Sequence, residues 1–290
     1  MKRYQIFAAA AALTMCSTAA LSASADEAAV MSFRMAADKT VICTDDLASE
    51  DVVLKGGLYV DNYSGLTSLR LILKSDDPVV IENGGYTVDP EKKDKDGEPM
   101  HLLFAEHADA TYTQKAEASD DTNIVLWYAK DYTKDAVAKV SDAASSFVHF
   151  DVRIPKGTKP GDYKCYISEE VKKNAADLNE EDSFVYQGEK QLTFGQDLIL
   201  KPLELIVYTL GDTNLDGTVS IEDAQLTLKA YTAGVSGKPH NLTPAQVKAC
   251  DITDNGEVGV DDAQWILKYY TAKYVAGIDD TTWESIMKKK

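Results

Sequence analysis

With 47 acidic against 30 basic side chains in 290 residues, the chain carries a net charge of −17 at neutral pH. A surface of that sign repels phosphate backbones, so nucleic acid is excluded as a partner, and the length suffices for two domains with cores of their own. The four cysteines lie far apart in sequence. They form no CxxC pair and no disulfide framework, which excludes a zinc site of the usual spacing and leaves buried free thiols as the expectation.

Residues 1–25 read as a secretory leader. Met1-Lys2-Arg3 gives a basic start, residues 6–21 are apolar and Ala-rich, and Ala23-Ser24-Ala25 supplies the small-residue pattern for cleavage after Ala25. The apolar run is too short for a membrane anchor, and small and acidic residues follow it. Met15 before Cys16 is too large for a lipoprotein cut. No later segment is long and apolar enough to span a bilayer. The mature protein, with Cys43, Cys165 and Cys250, is therefore expected outside the cell.

From residue 30 to 208 the pattern has the period of strands. Residues 52–63, 66–74, 123–132, 147–154 and 198–208 are rich in β-branched, Leu and aromatic side chains. Phe147-Val148-His149-Phe150-Asp151-Val152-Arg153-Ile154 alternates apolar with polar. Turn signals separate these runs: Asn62-Tyr63-Ser64-Gly65, Asn83-Gly84-Gly85, Lys95-Asp96-Gly97 and Pro160-Gly161-Asp162. Segments 91–98 and 174–182 read as polar loops or short helical excursions. The pattern predicts an all-β antiparallel sandwich, with 200–207 as a last strand rather than a linker.

Residues 209–290 change character and repeat. Positions 219–233 and 258–272 overlay at a spacing of 39 residues with nine identities in fifteen, including Asp223/Asp262, Ala224/Ala263, Gln225/Gln264, Leu228/Leu267 and Lys229/Lys268. This is an internal duplication. Each copy opens with a twelve-residue loop. The first, 212–223, reads DTNLDGTVSIED and puts Asp212, Asn214, Asp216, Ser220 and Asp223 at positions 1, 3, 5, 9 and 12, with Gly217 at the sharp turn and the Thr218 carbonyl at position 7. Calcium takes six to eight oxygens, and this spacing wraps them round one ion. The second, 251–262, reads DITDNGEVGVDD. Asp251, Thr253, Asn255, Glu257 (through its carbonyl) and Asp262 hold the corresponding places, but Thr253 replaces an acid or amide and Gly259 offers no side chain at position 9. Two Ca2+ ions are expected, the second bound more weakly.

An amphipathic helix follows each loop, with Ala224, Leu228 and Tyr231 on one face and Ala263, Leu267 and Tyr270 repeating it. Before the second loop, Thr243 as N-cap, Pro244 at N1 and Gln246 at N3 predict another helix start. No helix precedes the first loop, which disfavours a helix–loop–helix sensor. Trp283 is expected to pack back on Pro202 and clasp the module's ends.

Residues 211–272 resemble a dockerin, the duplicated all-α F-hand calcium module of cellulosomes, in the tandem DxNxDGxVxxxD loops, the aspartate at position 12 and the single exiting helices. The resemblance implies calcium-dependent folding and docking onto the cohesin of another scaffoldin through Ile221, Glu222, Leu228 and Lys229, and through Val260, Asp261, Leu267 and Lys268. Because the copies show the same face, it also implies two docking orientations, with Leu226/Trp265 and Ala230/Tyr269 breaking the symmetry.

The region 30–208 resembles a cohesin, a jelly-roll sandwich, in the order of Tyr59-Val60-Asp61-Asn62-Tyr63-Ser64-Gly65, of 124–129 and 147–154 as fifth and sixth strands, and of the Pro160-Gly161-Asp162-Tyr163 turn. This implies a flat face that receives a dockerin-bearing enzyme or protein, with Arg70 and Ile72 exposed on its third strand.

The whole chain is thus expected to be a multidomain, non-catalytic adaptor scaffoldin, attached to a cell surface only through a complex. The alternatives are a carbohydrate-binding module or a small glycoside hydrolase carried by the dockerin. Trp127 is the sole tryptophan of the sandwich, and His101, His107, His149 and His240 form no catalytic or metal motif.

Overall fold

The computed structural model describes residues 30–93, 97, 99–101, 109–117, 120–129, 145–169 and 183–287. Residues 1–25, read as a leader, and the segment 174–182 lie outside these residues.

Among the described residues, fifteen strands precede the helices. They are β1 Met31–Ala37, β2 Val41–Cys43, β3 Val52–Asp61, β4 Ser68–Ser75, β5 Val80–Tyr86, β6 Val88–Lys93, β7 Pro99–His101 and β8 Asp109–Glu117. The series continues with β9 Asp120–Tyr128, β10 Val148–Ile154, β11 Gly161–Ile167, β12 Phe184–Gln187, β13 Lys190–Gln191, β14 Leu198–Lys201 and β15 Leu203–Tyr208. The first sheet runs β14-β1-β3-β10-β5, and the second β13-β12-β4-β11-β15-β2 with β9 beside β4 and β8 beside β9; β6 and β7 form a small ribbon.

The strands form where alternation demands it. Along β10, Val148, Phe150, Val152 and Ile154 are buried while His149 is exposed, the period-2 pattern of a half-solvated sheet. Phe33, Leu58, Leu69, Leu71, Trp127, Phe147 and Phe150 fill the space between the sheets with essentially no exposure. Cys165 lies in this core, where burial pushes its thiol up to about 12, so it behaves as a small hydrophobe. Cys43 is only half-buried, contrary to the expectation for all three thiols.

Four features differ from the sequence reading. The sandwich is not purely antiparallel, because β1 pairs with β14 and β2 with β15 in parallel. The run 198–208 is two strands in different sheets: β14 lies on β1, β15 lies between β11 and β2, and Pro202 stands at the crossing, where a residue without N–H loses no ladder bond. Residues 124–129 and 147–154, read as the fifth and sixth strands, fall in opposite sheets, since β9 pairs with β4 and β10 with β3 and β5. Finally, 91–93 belong to β6 rather than to a loop.

The C-terminal part is helical: α1 Ile221–Val235, α2 Pro244–Cys250, α3 Val260–Tyr270, a π-helical turn Thr271–Val275 and α4 Trp283–Met287. Thr243 caps α2 as expected, its side chain accepting from the Gln246 N–H while the Gln246 side chain accepts from the Thr243 N–H. The small core of this module gathers Val219, Ala224, Cys250, Ile252, Ile266, Tyr269 and Ile286, with Leu210, Trp265 and Trp283 packed on it. Trp283 does not reach Pro202, which is exposed. It stacks on Tyr269 at 4.1 Å between ring centroids and covers Gly211. The tail therefore closes on the module itself.

Candidate functional site

The two loops share the backbone hydrogen bonds to their anchor aspartates. In the first, the Asp212 carboxylate accepts from the N–H groups of Asp216 and Gly217; in the second, Asp251 accepts from Asn255 and Gly256. At position 12, Asp223 accepts from the N–H groups of Asn214 and Ser220, and Asp262 from those of Thr253 and Gly259. Position 4 lies in the left-handed region in both (Leu215 at φ 62°, Asp254 at φ 53°), as does position 6 (Gly217 at 93°, Gly256 at 81°). A leucine in that region is uncommon, and the hydrogen bonds to both anchor aspartates hold it there.

The donor set suits a hard cation. Asp212, Asp223 and Asp262 are fully buried and Asp251 nearly so. Burial, followed by the charge of Asp223 and then that of Asp216, pushes the Asp212 carboxyl above its ordinary range, although N–H donors oppose the shift. Like charges gathered away from solvent are relieved by a cation. Asp216 at position 5 is exposed and turns to Thr218 and Asn214, which lower its pKa. Among the described residues, no three His, Cys, Asp or Glu side chains stand together as a metal cluster. Oxygen donors from Asp212, Asn214, Asp216, Ser220, Asp223 and the Thr218 carbonyl would hold calcium in the first loop. Asp251, Thr253, Asn255, Asp262 and the Glu257 carbonyl would do so in the second.

The helices that follow carry the duplication into the third dimension. Across 221–230 and 260–269 the order of buried, half-buried and exposed residues is identical, position by position. Asp223, Ala224, Thr227 and Ala230 face inward on α1, and Asp262, Ala263, Ile266 and Tyr269 on α3. Leu228 and Tyr231 therefore do not share a buried face with Ala224; Leu228 is 45% exposed and Leu267 42%.

All eight expected contact positions on the helices are solvent-facing: Ile221, Glu222, Leu228 and Lys229, and Val260, Asp261, Leu267 and Lys268. The sequence reading missed a third step. Val235 and Tyr274 continue the seven-residue spacing 221–228–235 and 260–267–274, and they are 70% and 54% exposed. Extending the 39-residue overlay past residue 233 would have found them.

Ala230 and Tyr269 are both buried, so this difference between the repeats is not on display. The visible asymmetry lies in Val235 against Tyr274, and in Lys268, whose ammonium sits 4.0 Å over the Trp265 ring where the first repeat has Leu226.

On the sandwich, β4 brings Arg70 level with Leu126 of β9 and Phe184 of β12, and Ser68 level with Tyr128 and Tyr186. Residues opposite one another across antiparallel strands share a face, so Arg70 sits among Leu126, Tyr128, Phe184 and Tyr186, all half-exposed. Phe184 and Tyr186 meet edge-on at 5.7 Å. Sequence alternation could not bring these three strands together. Ile72 is a correction: it has 0% exposure and cannot be a surface contact. Its strand is sealed there, with the Ile72 N–H donating to Ser183 Oγ and its carbonyl accepting from the Ser168 N–H. Trp127 is likewise fully buried, which removes it as a flat aromatic platform for a sugar.

No family model matches the chain, and no curated protein matches it. Among solved structures, the chain is similar to one in the Coh-OlpC–Doc435 complex, a type I cohesin–dockerin complex from Clostridium thermocellum, at 14% identity. That match covers 64% of this chain and 99% of that one, with a TM-score of 0.35. It is also similar to a type III cohesin module of the ScaE cell-surface anchoring scaffoldin of Ruminococcus flavefaciens, at 12% identity, 62% and 89% coverage and a TM-score of 0.38. A type II cohesin domain from the cellulosome of Acetivibrio cellulolyticus gives 12% identity, 61% and 95% coverage and 0.36.

Proposed function

We propose that this chain is a non-catalytic adaptor of an extracellular polysaccharide-degrading complex. Its C-terminal module acts as a dockerin that folds around calcium and docks on the cohesin of another scaffoldin. Its sandwich acts as a cohesin, receiving a dockerin-bearing protein on the face around Arg70.

The observation that carries the reading is the matched exposure of the two helices. Ile221, Leu228 and Val235 form one solvent-facing apolar line, and Val260, Leu267 and Tyr274 form another. Stable monomeric surfaces seldom keep contiguous apolar lines exposed. Each line is one residue wide, flanked by Glu222, Gln225 and Lys229 or by Asp261, Gln264 and Lys268. A helix lying in a groove needs a broader anchor set at i, i+3, i+4 and i+7, whereas a single line suits contact with a flat sheet. Along α1 it is about 21 Å long, enough to cross four strands at about 4.8 Å spacing.

Because the lines are equivalent, the module docks in either of two orientations. The test is capture of secreted proteins by the full chain in calcium. Leu228→Ala with Lys229→Ala, or Leu267→Ala with Lys268→Ala, should each leave capture within a few-fold of wild type, and the four substitutions together should abolish it. Loss of capture with one pair alone would refute dual docking. Retention with all four would refute the site.

A further inference from the structure

The joint between sandwich and calcium module contains almost no free chain. Tyr208 ends β15 and Asp212 opens the first loop, leaving three residues between them, and these are tied on both sides. The Tyr208 carbonyl accepts from the Thr44 N–H at 2.9 Å, and Thr209 Oγ1 lies 2.7 Å from Thr44 Oγ1. The Gly211 N–H donates to the Ala249 carbonyl of α2 at 2.7 Å, and Leu210 packs into the module's core.

A second connection lies well away from this one in sequence. Helix α2 packs against β15 and β11 of the sandwich. Ala245 and Ala249, one turn apart on the same side, have 0% exposure and stand outside the module's own core cluster. Two alanines let the helix backbone approach the sheet closely. At its first turn, the Ala245 N–H donates to Asp162 Oδ1 on β11 at 3.0 Å. Thr243 already serves the Gln246 N–H, so the sandwich supplies a second acceptor for N–H groups the helix cannot satisfy itself. Asp162 therefore caps a helix belonging to the other domain.

We propose that sandwich and calcium module are one rigid, cooperatively unfolding body, with Asp162 as the residue that positions α2 on the sheet edge. The chain is then an angled connector that presents its helical lines at a set angle to the Arg70 face, rather than two domains on a tether. Fast, independent tumbling is the default for domains joined by a flexible linker; here a capped helix face replaces the linker. This inference stands apart from the docking partners and from calcium affinity, neither of which it needs.

The test uses the full chain in excess calcium chloride, with calorimetric unfolding, amide exchange at Ala245 and small-angle scattering. Wild type should give one unfolding transition. Asp162→Ala should speed exchange of the Ala245 amide roughly fivefold, the scale of a lost helix cap, and enlarge the radius of gyration. Asp162→Asn, which keeps an oxygen acceptor, should restore both. Two separate transitions in wild type would overturn the proposal. So would an Ala245 amide that exchanges no faster in Asp162→Ala.

Discussion

Thr213 and Thr227 face each other in the buried heart of the first repeat, their hydroxyls 2.9 Å apart. The Thr227 hydroxyl also donates to the Asp223 carbonyl at 2.8 Å, so Thr213 is the donor within the pair. In the second repeat the same two places hold Ile252 and Ile266, both buried. A bonded polar pair and an apolar pair thus occupy equivalent sites, each self-consistent. Replacing one partner strands a buried hydroxyl, whereas replacing both does not. Thr227→Val is expected to cost about 1–3 kcal/mol in denaturant unfolding, and Thr213→Val added to it should recover most of that loss. A double variant that is worse than the single would show that the repeats are not interchangeable at this site. Which oxygen donors line the two loops was legible from spacing alone. What escaped the sequence was the inward direction of Thr227, because a threonine reads as polar and exposed until its partner is known.

Among the elements, the helices that follow the loops were the most readable and also the most instructive failure. Spacing placed both helices and the cap of α2 correctly, yet the face assigned from Ala224, Leu228 and Tyr231 is not the buried one. The inward face instead carries Asp223 and Thr227, residues that a hydrophobicity pattern discounts. The tail shows the same limit: Trp283 was expected to clasp something, but only the fold brings Tyr269 and Gly211 within its reach. Gly211 has φ 89°, and a β-carbon there would stand 2.4 Å from the Trp283 ring. Gly211→Ala should therefore destabilise the chain by about 2–4 kcal/mol, from strained backbone and overpacking together. In a Trp283→Ala background the same change should cost clearly less, a coupling that a double-mutant cycle by thermal melting would read. Equal costs in both backgrounds would contradict the contact.

For the molecule as a whole, the sequence conveyed class and order but not arrangement. Alternation identified strands such as β3, β4, β9 and β10. Deciding which strands are neighbours depends on long-range pairing, so the order of β9 and β10 in the chain does not reveal that they lie in opposite sheets. Pro202 marked the change of sheet within 198–208, but a proline at a strand edge looks the same in sequence as one at a sheet crossing. The joint was equally hidden, since Asp162 and Ala245 are 83 positions apart. On the proposed function, what unites these levels is a calcium loop whose buried aspartates, repeated 39 residues on, anchor the starts of α1 and α3. Titration of the full chain with calcium, following heat and far-ultraviolet dichroism together, tests that claim most directly. The account predicts two binding events, the second weaker, with a gain of helix, and loss of the stronger event alone in Asp212→Ala. A titration that yields no heat and no added helix would contradict it.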